Sequence, residues 1–383
     1  MSLTRPPLSL YIHIPWCVEK CPYCDFNSHK IQGSIPEHAY IGRLLDDLSA
    51  DLEGVQDRPI KSIFIGGGTP SVITAEGIQR LLDGVRKRVT LTADCEITLE
   101  ANPGTFEVER FGGFIKAGVN RLSIGIQSLN AEHLRTLGRI HDPQQARTAA
   151  AHASELSLKS FNLDLMHGLP GQSAADALSD LEGVIALNPP HISWYQLTIE
   201  PNTLFASRPP TLPDDDTLWA IYQRGHEALI KAGYQQYEVS AYCKPSHQSV
   251  HNTNYWQFGD YLGIGCGAHS KITIPEQDTI LRCEKIKHPQ GYLDLTRALR
   301  YREWHVEPEE RSFEFFMNQF RLFQPVSKQQ FERFTGLSVE QGDSALEEAI
   351  AKGWVESTSD HWQLTPLGHR FLNDVLTTLL SET

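Results

Sequence analysis

The sequence predicts an α/β fold, a partial (β/α)6 TIM-like barrel followed by a smaller helical domain that resembles a winged helix. Strand-like runs alternate with helical segments over residues 8–198, and helical segments dominate again from residue 308. Such alternation is typical of a parallel sheet covered by helices, and six units fall short of the eight that close a barrel. We therefore predict a barrel over 1–244, a connecting region over 245–307 and a C-terminal domain over 308–383.

Each predicted barrel strand is a short run rich in β-branched, aromatic or other apolar residues. The six runs are LSLYIHI (8–14), SIFIGG (62–67), CEITLEA (95–101), RLSIGIQS (121–128), SFNLDLMHG (160–168) and HISWYQLT (191–198). Segments with helical spacing of apolar residues separate them, for example EHAYIGRLLDDLSADLEG and AADALSDLEGVIAL. A seventh strand-like run, QYEVSAY, follows near residue 240.

The C-terminal region has a different pattern. EERSFEFFMNQFRLF and SVEQGDSALEEAIAKG have helical periodicity, and WVESTSDHWQLTPLGHRFL places two short strands around a turn. This order is typical of a winged helix, which usually binds DNA. The net charge of -13 and the few Lys and Arg residues in SVEQGDSALEEAIAKG oppose contact with phosphates. We expect a structural or partner-docking module and no nucleic-acid partner.

Composition and the N-terminal sequence indicate where the protein is found. Apolar residues make up 40% and charged residues 21% of the chain, which are ordinary globular values. No stretch approaches the roughly 18 apolar residues that span a bilayer. MSLTRPPLSLYIHI has neither the h-region nor the cleavage site of a secretory signal. We expect a cytoplasmic protein that is not an integral membrane protein and that reaches a membrane through its partners. A homodimer is one oligomeric state that the sequence allows.

Three closely spaced cysteines indicate a metal site. WCVEKCPYCDFNSH (16–29) contains Cys17, Cys21 and Cys24 in the spacing C-x3-C-x2-C. A structural zinc site needs four ligands, and because His29 can complete such a set, zinc stays open. A four-iron cluster takes one thiolate at each iron, so three cysteines leave one iron free to bind a ligand. Scattered cysteines are most often small buried side chains, as expected here for Cys95, Cys243, Cys266 and Cys283.

Polar residues recur at the ends of the predicted strands. The loop GGGTPS (66–71) follows the second strand, Glu100 and Gln127 end the third and fourth, and Asp164 lies within the fifth. A single polar residue at a strand end is commonly satisfied by its neighbours. In this architecture, however, the loops after the strands build the active site. We therefore predict a ligand site on the same rim as the cysteine loop, where the glycines allow close approach and exposed amides receive a polar group.

Several motifs together resemble the radical S-adenosylmethionine superfamily, and within it the group that contains oxygen-independent coproporphyrinogen III oxidases and haem chaperones. They are YIHIPWCVEKCPYC, GGGTPS, ITLEANPGT, SIGIQS, LGRIHD and FNLDLMHGLPGQ, and the match runs from about residue 8 to the C-terminus. The resemblance implies a [4Fe-4S] cluster held by Cys17, Cys21 and Cys24, whose free iron binds S-adenosylmethionine. It further implies a pocket for that cofactor lined by Tyr11, Tyr23, Gly67, Gly68, Thr69, Glu100, Gln127, Arg139 and Asp164. In this pocket Arg139 can pair with a carboxylate.

Sequence features separate the oxidases of this group from the chaperones. Oxidases typically extend the motif to C-x3-C-x2-C-x-C behind a longer N-terminal segment, whereas this chain has Phe26 at the extra position and sixteen residues before Cys17. The chaperones carry H-N-x-x-Y-W, and HNTNYW occupies 251–256. The resemblance therefore implies that a loop histidine offers its imidazole to haem iron while aromatic rings pack on the macrocycle. The residues implied are His251, Asn252, Tyr255 and Trp256.

We therefore expect a haem chaperone on a radical S-adenosylmethionine scaffold. Haem is its cargo, haem-accepting respiratory proteins are its partners, and an electron donor serves the cluster. We assign no catalytic residues. The alternative is an oxygen-independent coproporphyrinogen III oxidase, which decarboxylates the propionates of its substrate. A zinc-stabilised binding protein is a third hypothesis, and it predicts a protein without the broad visible absorption of an iron–sulfur cluster.

Overall fold

The structure is a computed structural model that describes residues 2–55, 58–104 and 108–380. The strands in these ranges are β1 (Leu8–Ile14), β2 (Trp16–Cys17), β3 (His29–Lys30), β4 (Ile60–Gly67), β5 (Leu91–Ala101), β6 (Arg121–Gln127), β7 (Ser160–His167), β8 (His191–Gln196), β9 (Gln235–Glu238), β10 (Ala241–Cys243), β11 (Asp260–Ile264), β12 (His269–Ile274), β13 (Thr279–Lys285), β14 (Arg300–His305), β15 (Val326–Ser327), β16 (Val355–Ser357) and β17 (His361–Leu364).

Helices connect these strands and cover the sheet. They are α1 (Glu37–Asp51), α2 (Ala75–Arg86), α3 (Phe111–Ala117), α4 (Ala131–Thr136), α5 (Pro143–Glu155), α6 (Ala174–Ala186), α7 (Leu204–Ser207), α8 (Asp215–Lys231), α9 (Val250–Trp256), α10 (Pro289–Leu293), α11 (Pro308–Gln319), α12 (Lys328–Thr335), α13 (Val339–Ala345), α14 (Glu347–Ala351), α15 (Pro366–Arg370) and α16 (Leu372–Thr378). Within the described ranges, no helix is both long enough and apolar enough to cross a bilayer.

The predicted partial barrel is confirmed. Twelve strands form one sheet in the order β14-β13-β12-β11-β1-β4-β5-β6-β7-β8-β10-β9. The six predicted strands are the consecutive parallel neighbours β1, β4, β5, β6, β7 and β8. The order ends at β14 and β9, so the sheet stays open. All seven residues of β6 are buried, as expected for a central strand that is covered on both faces.

The edges of the sheet differ from the sequence prediction. The run QYEVSAY is not one strand, because the chain reverses between β9 and β10, which pair antiparallel. At this reversal the Ser240 N–H donates to Glu238 Oε1 at 2.9 Å. The predicted connecting region adds four more strands: β11 pairs parallel with β1, and β12, β13 and β14 continue the sheet antiparallel. The region after residue 244 therefore extends the barrel sheet itself.

The predicted C-terminal helices and hairpin are present. α11 and α12 pack with the β16–β17 hairpin around a second apolar core that contains Phe315, Phe316, Phe331 and Trp362. The segment SVEQGDSALEEAIAKG forms two helices instead of one, because Leu346 leaves helical geometry at φ -98° and ψ 1° and is fully buried in this core. α12 was not predicted from the sequence.

Candidate cofactor and ligand site

The predicted cluster cysteines lie in the loop that follows β1. β2 and β3 pair parallel and close this loop at its base. Within the loop, the Cys24 N–H donates to the Cys21 carbonyl at 3.2 Å. The loop is tied to β1 through the Asn27 carbonyl, which lies 2.8 Å from His13 Nε2. Cys17, Cys21 and Cys24 therefore share one loop at the carboxyl end of the first barrel strand, as the sequence predicts.

The three thiols lie close enough to influence one another, and burial opposes the thiolate forms of Cys17 and Cys24. Burial raises the pKa of Cys17, and the thiols of Cys24 and Cys21 raise it further, so the three groups lie within electrostatic range of one another. Burial also raises the pKa of Cys24. Arg139 Nη1 donates to Cys21 Sγ at 3.5 Å, which places a cation beside the cysteine loop.

The structure does not support a preformed zinc site. Among residues 2–55, 58–104 and 108–380, no group of three or more His, Cys, Asp or Glu side chains is arranged to hold a metal ion. The candidate fourth ligand, His29, lies beside His288 with ring centroids 5.3 Å apart. His29 Nε2 also lies 3.3 Å from Asn27 Oδ1. Within these ranges, therefore, His29 and the three cysteines do not form one ligand set, and the three cysteines by themselves are not preorganised as a metal-binding group either.

The other four cysteines are free and buried, as the sequence predicts. Burial raises the pKa of both Cys95 and Cys243 to about 11, and that of Cys266 to about 12. Burial raises the pKa of Cys283 as well. These thiols stay protonated at neutral pH, as expected for structural side chains.

The glycine loop after β4 packs directly on the cysteine loop. A Cβ atom at Gly68 would lie 2.6 Å from the Trp16 carbonyl oxygen, and Gly67 has φ +115°. The expectation that the amides of this loop are exposed is wrong. The N–H groups of Gly67, Gly68 and Thr69 donate to Glu100 Oε2 (3.0 Å), the Ile14 carbonyl (2.7 Å) and the Trp16 carbonyl (2.8 Å), respectively. The glycines allow the two loops to pack closely, and the amides of the glycine loop donate their hydrogen bonds to protein acceptors.

Two partly buried carboxyl groups lie behind this loop. Burial, followed by the charge of the nearby Asp164, raises the pKa of Glu100 to about 8, and the Gly67 N–H opposes the shift. Burial also raises the pKa of Asp164, although Asn162 donates to its Oδ1 at 2.7 Å and Ser123 to its Oδ2 at 3.2 Å. Because like charges repel at close range, the pair favours a state with at least one proton.

The pKa of Glu100 predicts a pH-dependent stability. The folded chain holds the Glu100 proton more tightly than the unfolded chain, whose pKa is roughly 4.3. The stability from this group is complete below that value and is lost as pH rises through about 8. Glu100→Gln stays neutral, so we expect its unfolding free energy to rise relative to wild type across this window by up to ~1.4 kcal/mol per pH unit. Urea unfolding of the cluster-free proteins measures this difference.

The control for this experiment is Glu76→Gln, which changes an exposed glutamate in the first turn of α2. Its unfolding free energy should follow that of the wild type in parallel at each pH. A difference between Glu100→Gln and wild type that did not change between pH ~5 and ~8.5 would show that Glu100 ionises normally in the folded chain.

Arg139 and Gln127 lie at the carboxyl end of β6 or in the segment that follows it. Arg139 Nη2 donates to Asn102 Oδ1 at 2.6 Å and to the Gly125 carbonyl at 2.8 Å. Its buried Nε has no hydrogen-bond partner among the described residues. Gln127 ends β6 with φ 64°, an unusual conformation for a residue other than glycine, and its Oε1 accepts a hydrogen bond from Tyr195 at 2.8 Å.

The two tyrosines that are predicted to line the cofactor pocket, Tyr11 and Tyr23, contact different parts of the site. The Tyr11 hydroxyl lies 3.0 Å from His13 Nδ1, and burial followed by the nearby Glu100 raises the pKa of Tyr11. Tyr23 packs near Phe205, with ring centroids 6.4 Å apart. Burial raises the pKa of Tyr23, and Arg139 opposes the shift.

The HNTNYW motif forms helix α9, so the expectation of a loop histidine is wrong. Ser249 caps the helix by accepting the N–H of Asn252 at 3.3 Å. Glu96 accepts the N–H groups of Val250 and His251 at 3.1 Å each. A carboxylate at a helix N-terminus meets free N–H groups and the positive end of the helix dipole, and it stabilises the helix start.

His251 is buried, and its ring is oriented by protein contacts. Its Nδ1 lies 3.0 Å from Ser62 Oγ, and its ring centroid lies 5.1 Å from that of Phe64. Burial, followed by the charge of Arg121, lowers the pKa of His251 to about 3, so the imidazole is neutral at physiological pH. Asn254, three residues further along the motif, donates to Ser9 Oγ at 2.9 Å. It therefore anchors the helix to β1.

One cavity of about 740 Å³ is lined by the HNTNYW residues and by some of the predicted cofactor residues. It opens between the cysteine loop, the barrel strands and α9. The predicted residues that line it are Tyr11, Gly67, Glu100, His251, Asn252, Tyr255 and Trp256. The remaining predicted residues, which do not line it, are Cys17, Cys21, Cys24, Tyr23, Gly68, Thr69, Gln127, Arg139 and Asp164. These lie in the cysteine loop and in the barrel beside the cavity.

Several residues of the site were missed in the sequence. His13, His269 and Tyr261 line the cavity, and the exposed ring of Phe26 lies at its edge. Asn102 holds Arg139 and immediately follows β5, where its position inside ITLEANPGT is a signal that could have found it. His269 and Tyr261 come from β12 and β11, which carry no pattern that connects them with the rim.

Comparisons with known proteins agree with this geometry. The model of the Radical SAM superfamily matches residues 11–182, and that of the HemN C-terminal domain matches residues 306–371. A solved structure of coproporphyrinogen III oxidase (HemN) from Escherichia coli has a TM-score of 0.84 at 22% identity, covering 99% of this chain and 91% of that one. At this identity the likeness shows the fold alone, which is that of a radical S-adenosylmethionine protein.

Curated relatives indicate the family within the radical S-adenosylmethionine proteins. The heme chaperone HemW of Escherichia coli (strain K12) is 57% identical over 377 residues, which cover 98% of this chain and 99% of that protein. The HemW of Haemophilus influenzae is 56% identical over 381 residues, covering 98% and 99%. A mitochondrial radical S-adenosyl methionine domain-containing protein 1 of Mus musculus is 37% identical over 383 residues, covering 94% and 78%. The chain belongs to the HemW family of radical S-adenosylmethionine proteins.

Proposed function

We propose that this protein is a haem chaperone that binds haem in the cavity and transfers it to acceptor proteins. The observation that carries the proposal is the single cavity of about 740 Å³ into which both the HNTNYW helix and the barrel rim project side chains. This volume lies within the roughly 300–1,000 Å³ range of small-molecule and cofactor sites. The relatives named heme chaperone HemW support the same activity.

The wall formed by α9 suits a flat aromatic ligand. The rings of Tyr255 and Trp256 are nearly perpendicular, with an interplanar angle of 87° and centroids 4.9 Å apart, and Tyr261 lies 5.1 Å from Tyr255. Tyr255 is partly exposed, so it has free surface for contact. We propose that these rings pack on the macrocycle, that Asn252 lies at its edge, and that His251 offers a neutral imidazole to the iron.

The cofactor side of the site consists of the chain's own donors. Cys17, Cys21 and Cys24 would hold a [4Fe-4S] cluster, and S-adenosylmethionine would lie against the residues of the barrel rim. When bound, these groups supply one-electron chemistry. The chain binds and orients them: Arg139 presents its unpartnered Nε, and Glu100 can accept from or donate to a polar group because its pKa is about 8.

Partners follow from this activity. We propose that respiratory enzymes accept the haem, that a separate protein donates electrons to the cluster, and that the chaperone works in the cytoplasm and meets membranes through these partners. The C-terminal domain fits a role in protein contacts better than one in DNA binding, because the chain carries a net charge of -13.

A parallel test on one anaerobically reconstituted preparation separates the chaperone from the oxidase. We expect haem to bind with a defined Soret band and to move to an apo-acceptor. We also expect no conversion of coproporphyrinogen III to protoporphyrinogen IX with added S-adenosylmethionine and reductant, because Phe26 occupies the position of the further cysteine. Difference spectroscopy measures haem binding, and chromatography of the porphyrins measures conversion.

Two outcomes would contradict the proposal. Sustained turnover of coproporphyrinogen III would favour the oxidase, and the absence of saturable haem binding by the intact, cluster-loaded chain would remove the chaperone activity. An oxidase of the same fold, assayed in the same reductant, is the positive control for turnover.

A further inference from the structure

The segment between α11 and β15 links the C-terminal domain to the barrel beside α9. The Phe323 N–H donates to the Tyr237 carbonyl at 3.0 Å, and the Val239 N–H donates to the Arg321 carbonyl at 3.0 Å. Leu322 forms an isolated antiparallel bridge with Glu238 at the end of β9. The segment is therefore fixed to the edge of the barrel sheet by backbone hydrogen bonds.

The side chain of Arg321 extends from this segment to the HNTNYW helix. Its guanidinium lies over the ring of Trp256, 4.3 Å from the ring centroid. Its Nη2 donates to Glu238 Oε2 at 3.3 Å. Burial raises the pKa of Glu238, and the charge of Arg321 opposes this shift, so the guanidinium offsets part of the cost of burying the carboxylate. Arg321 is thus held between the sheet edge and the aromatic ring.

Trp256 depends on this contact for its orientation. The indole Nε1 is buried and has no hydrogen-bond partner among the described residues, so no polar bond there fixes the ring. The ring packs instead on a small apolar cluster that includes Tyr237 and Leu322. A cation stacked on an indole is attracted by the negative charge of its face, which favours one ring orientation.

A second contact joins the C-terminal domain to the end of the same helix. Phe258 follows α9 and packs edge-on against Phe315 of α11, with centroids 5.5 Å apart. Gln330 Nε2 donates to the Gln257 carbonyl at 3.0 Å. The C-terminal domain therefore holds the residues immediately after Trp256, while Arg321 holds Trp256 itself.

We infer that Arg321 is a positioning residue for the haem site, and that the C-terminal domain contributes to haem binding by orienting Trp256 from outside the cavity. This inference rests on the proposed function, because it takes haem to be the ligand that Trp256 meets. It gives the winged-helix-like domain a role in the site without any contact with nucleic acid.

The experiment compares three variants of the full chain carrying its cluster. In Arg321→Ala the stack and the ion pair are lost, and we expect haem affinity to fall by ~3- to 10-fold with a shifted Soret band. Arg321→Lys retains a charge for Glu238 and for the indole and should recover part of the affinity. Arg370→Ala is the matched control: its guanidinium lies 4.1 Å over the ring of Trp219, a stack that also joins the C-terminal domain to a barrel helix.

Hydrogen exchange of the haem-free proteins provides a second measurement. Arg321→Ala should speed exchange of the α9 amides, whereas Arg370→Ala should leave them at the wild-type rate. The inference is overturned if wild type binds haem and Arg321→Ala binds it with the same affinity and spectrum. It is also overturned if Arg370→Ala causes an equal loss, since that would indicate general loosening of the domain. If wild type itself binds no haem, the proposed function fails and the inference fails with it.

Discussion

Replacing any one of Cys17, Cys21 or Cys24 with serine should abolish the broad visible absorption of the anaerobically reconstituted protein. This is the expected result if the three thiolates are the only protein ligands of a four-iron cluster, because a hydroxyl is a much poorer ligand for iron than a thiolate. Iron and acid-labile sulfide should fall together with the absorption. Far-ultraviolet circular dichroism should stay unchanged, because the loop lies outside the barrel core.

Cys266→Ser is the sharpest control for this experiment. Cys266 touches the cysteine loop, since Asn27 Nδ2 lies 3.6 Å from its Sγ and 2.9 Å from its carbonyl oxygen. It is therefore near the proposed cluster without being one of its ligands. Cys266→Ser should keep the absorption, as should serine at the other buried cysteines, Cys95, Cys243 and Cys283. Loss of the cluster in Cys266→Ser together with its retention in Cys21→Ser would refute the ligand assignment.

The central sheet was predictable because its strands are buried on both faces. A run such as RLSIGIQ in β6 is apolar at nearly every position, and turns and helical segments separate it from its neighbours. The strands β11 to β14 were not predicted, because they pair at the sheet edge and carry alternating or glycine-containing sequences. β11 also pairs with β1 across more than 240 residues of chain, a contact that no local pattern contains.

The sequence predicted the positions of the candidate site residues in the fold better than it predicted their surroundings. Motif spacing correctly placed the cysteines in one loop and Glu100 and Gln127 at the rim. It did not show that the Gly68 N–H is used by the Ile14 carbonyl, since that bond depends on how two loops meet. Nor did it show that His251 is helical and buried, because its surroundings come from β4 and β5. The sequence also contained no indication of the proposed role of Arg321, since this residue lies 65 residues from Trp256 in the chain.

Alanine at His251, Tyr255 and Trp256 should produce separable losses in haem binding. His251→Ala should alter the Soret band, because an iron ligand is removed, while iron–sulfur content stays normal. Tyr255→Ala or Trp256→Ala should lower the affinity by ~1–3 kcal/mol, about one to two decades, through loss of apolar contact. Their ligation spectrum should stay recognisable. The triple variant should combine both effects.

The environment of His251 adds a pH signature. With its pKa lowered to about 3 by burial and Arg121, the imidazole carries no proton that competes with iron at any physiological pH. Haem affinity should therefore show no titration step of this group between pH ~5 and ~8, where an unperturbed histidine changes charge. Ser62 Oγ lies 3.0 Å from Nδ1 of His251. If iron binds at Nε2, the neutral ring carries its proton on Nδ1, and Nδ1 donates a hydrogen bond to the Ser62 hydroxyl.

The controls use other histidines of the same region. His247 precedes α9, and its Nδ1 lies 3.2 Å from Ser160 Oγ. It is not among the described residues that line the cavity. The His247→Ala variant should therefore bind haem as wild type does. His269 lines the cavity with its side chain 54% exposed, and it can replace the lost ligand in His251→Ala. The double variant His251→Ala/His269→Ala therefore tests ligation without that substitute. An unchanged spectrum and affinity in the variant lacking His251, Tyr255 and Trp256 together would remove the HNTNYW helix from the haem site.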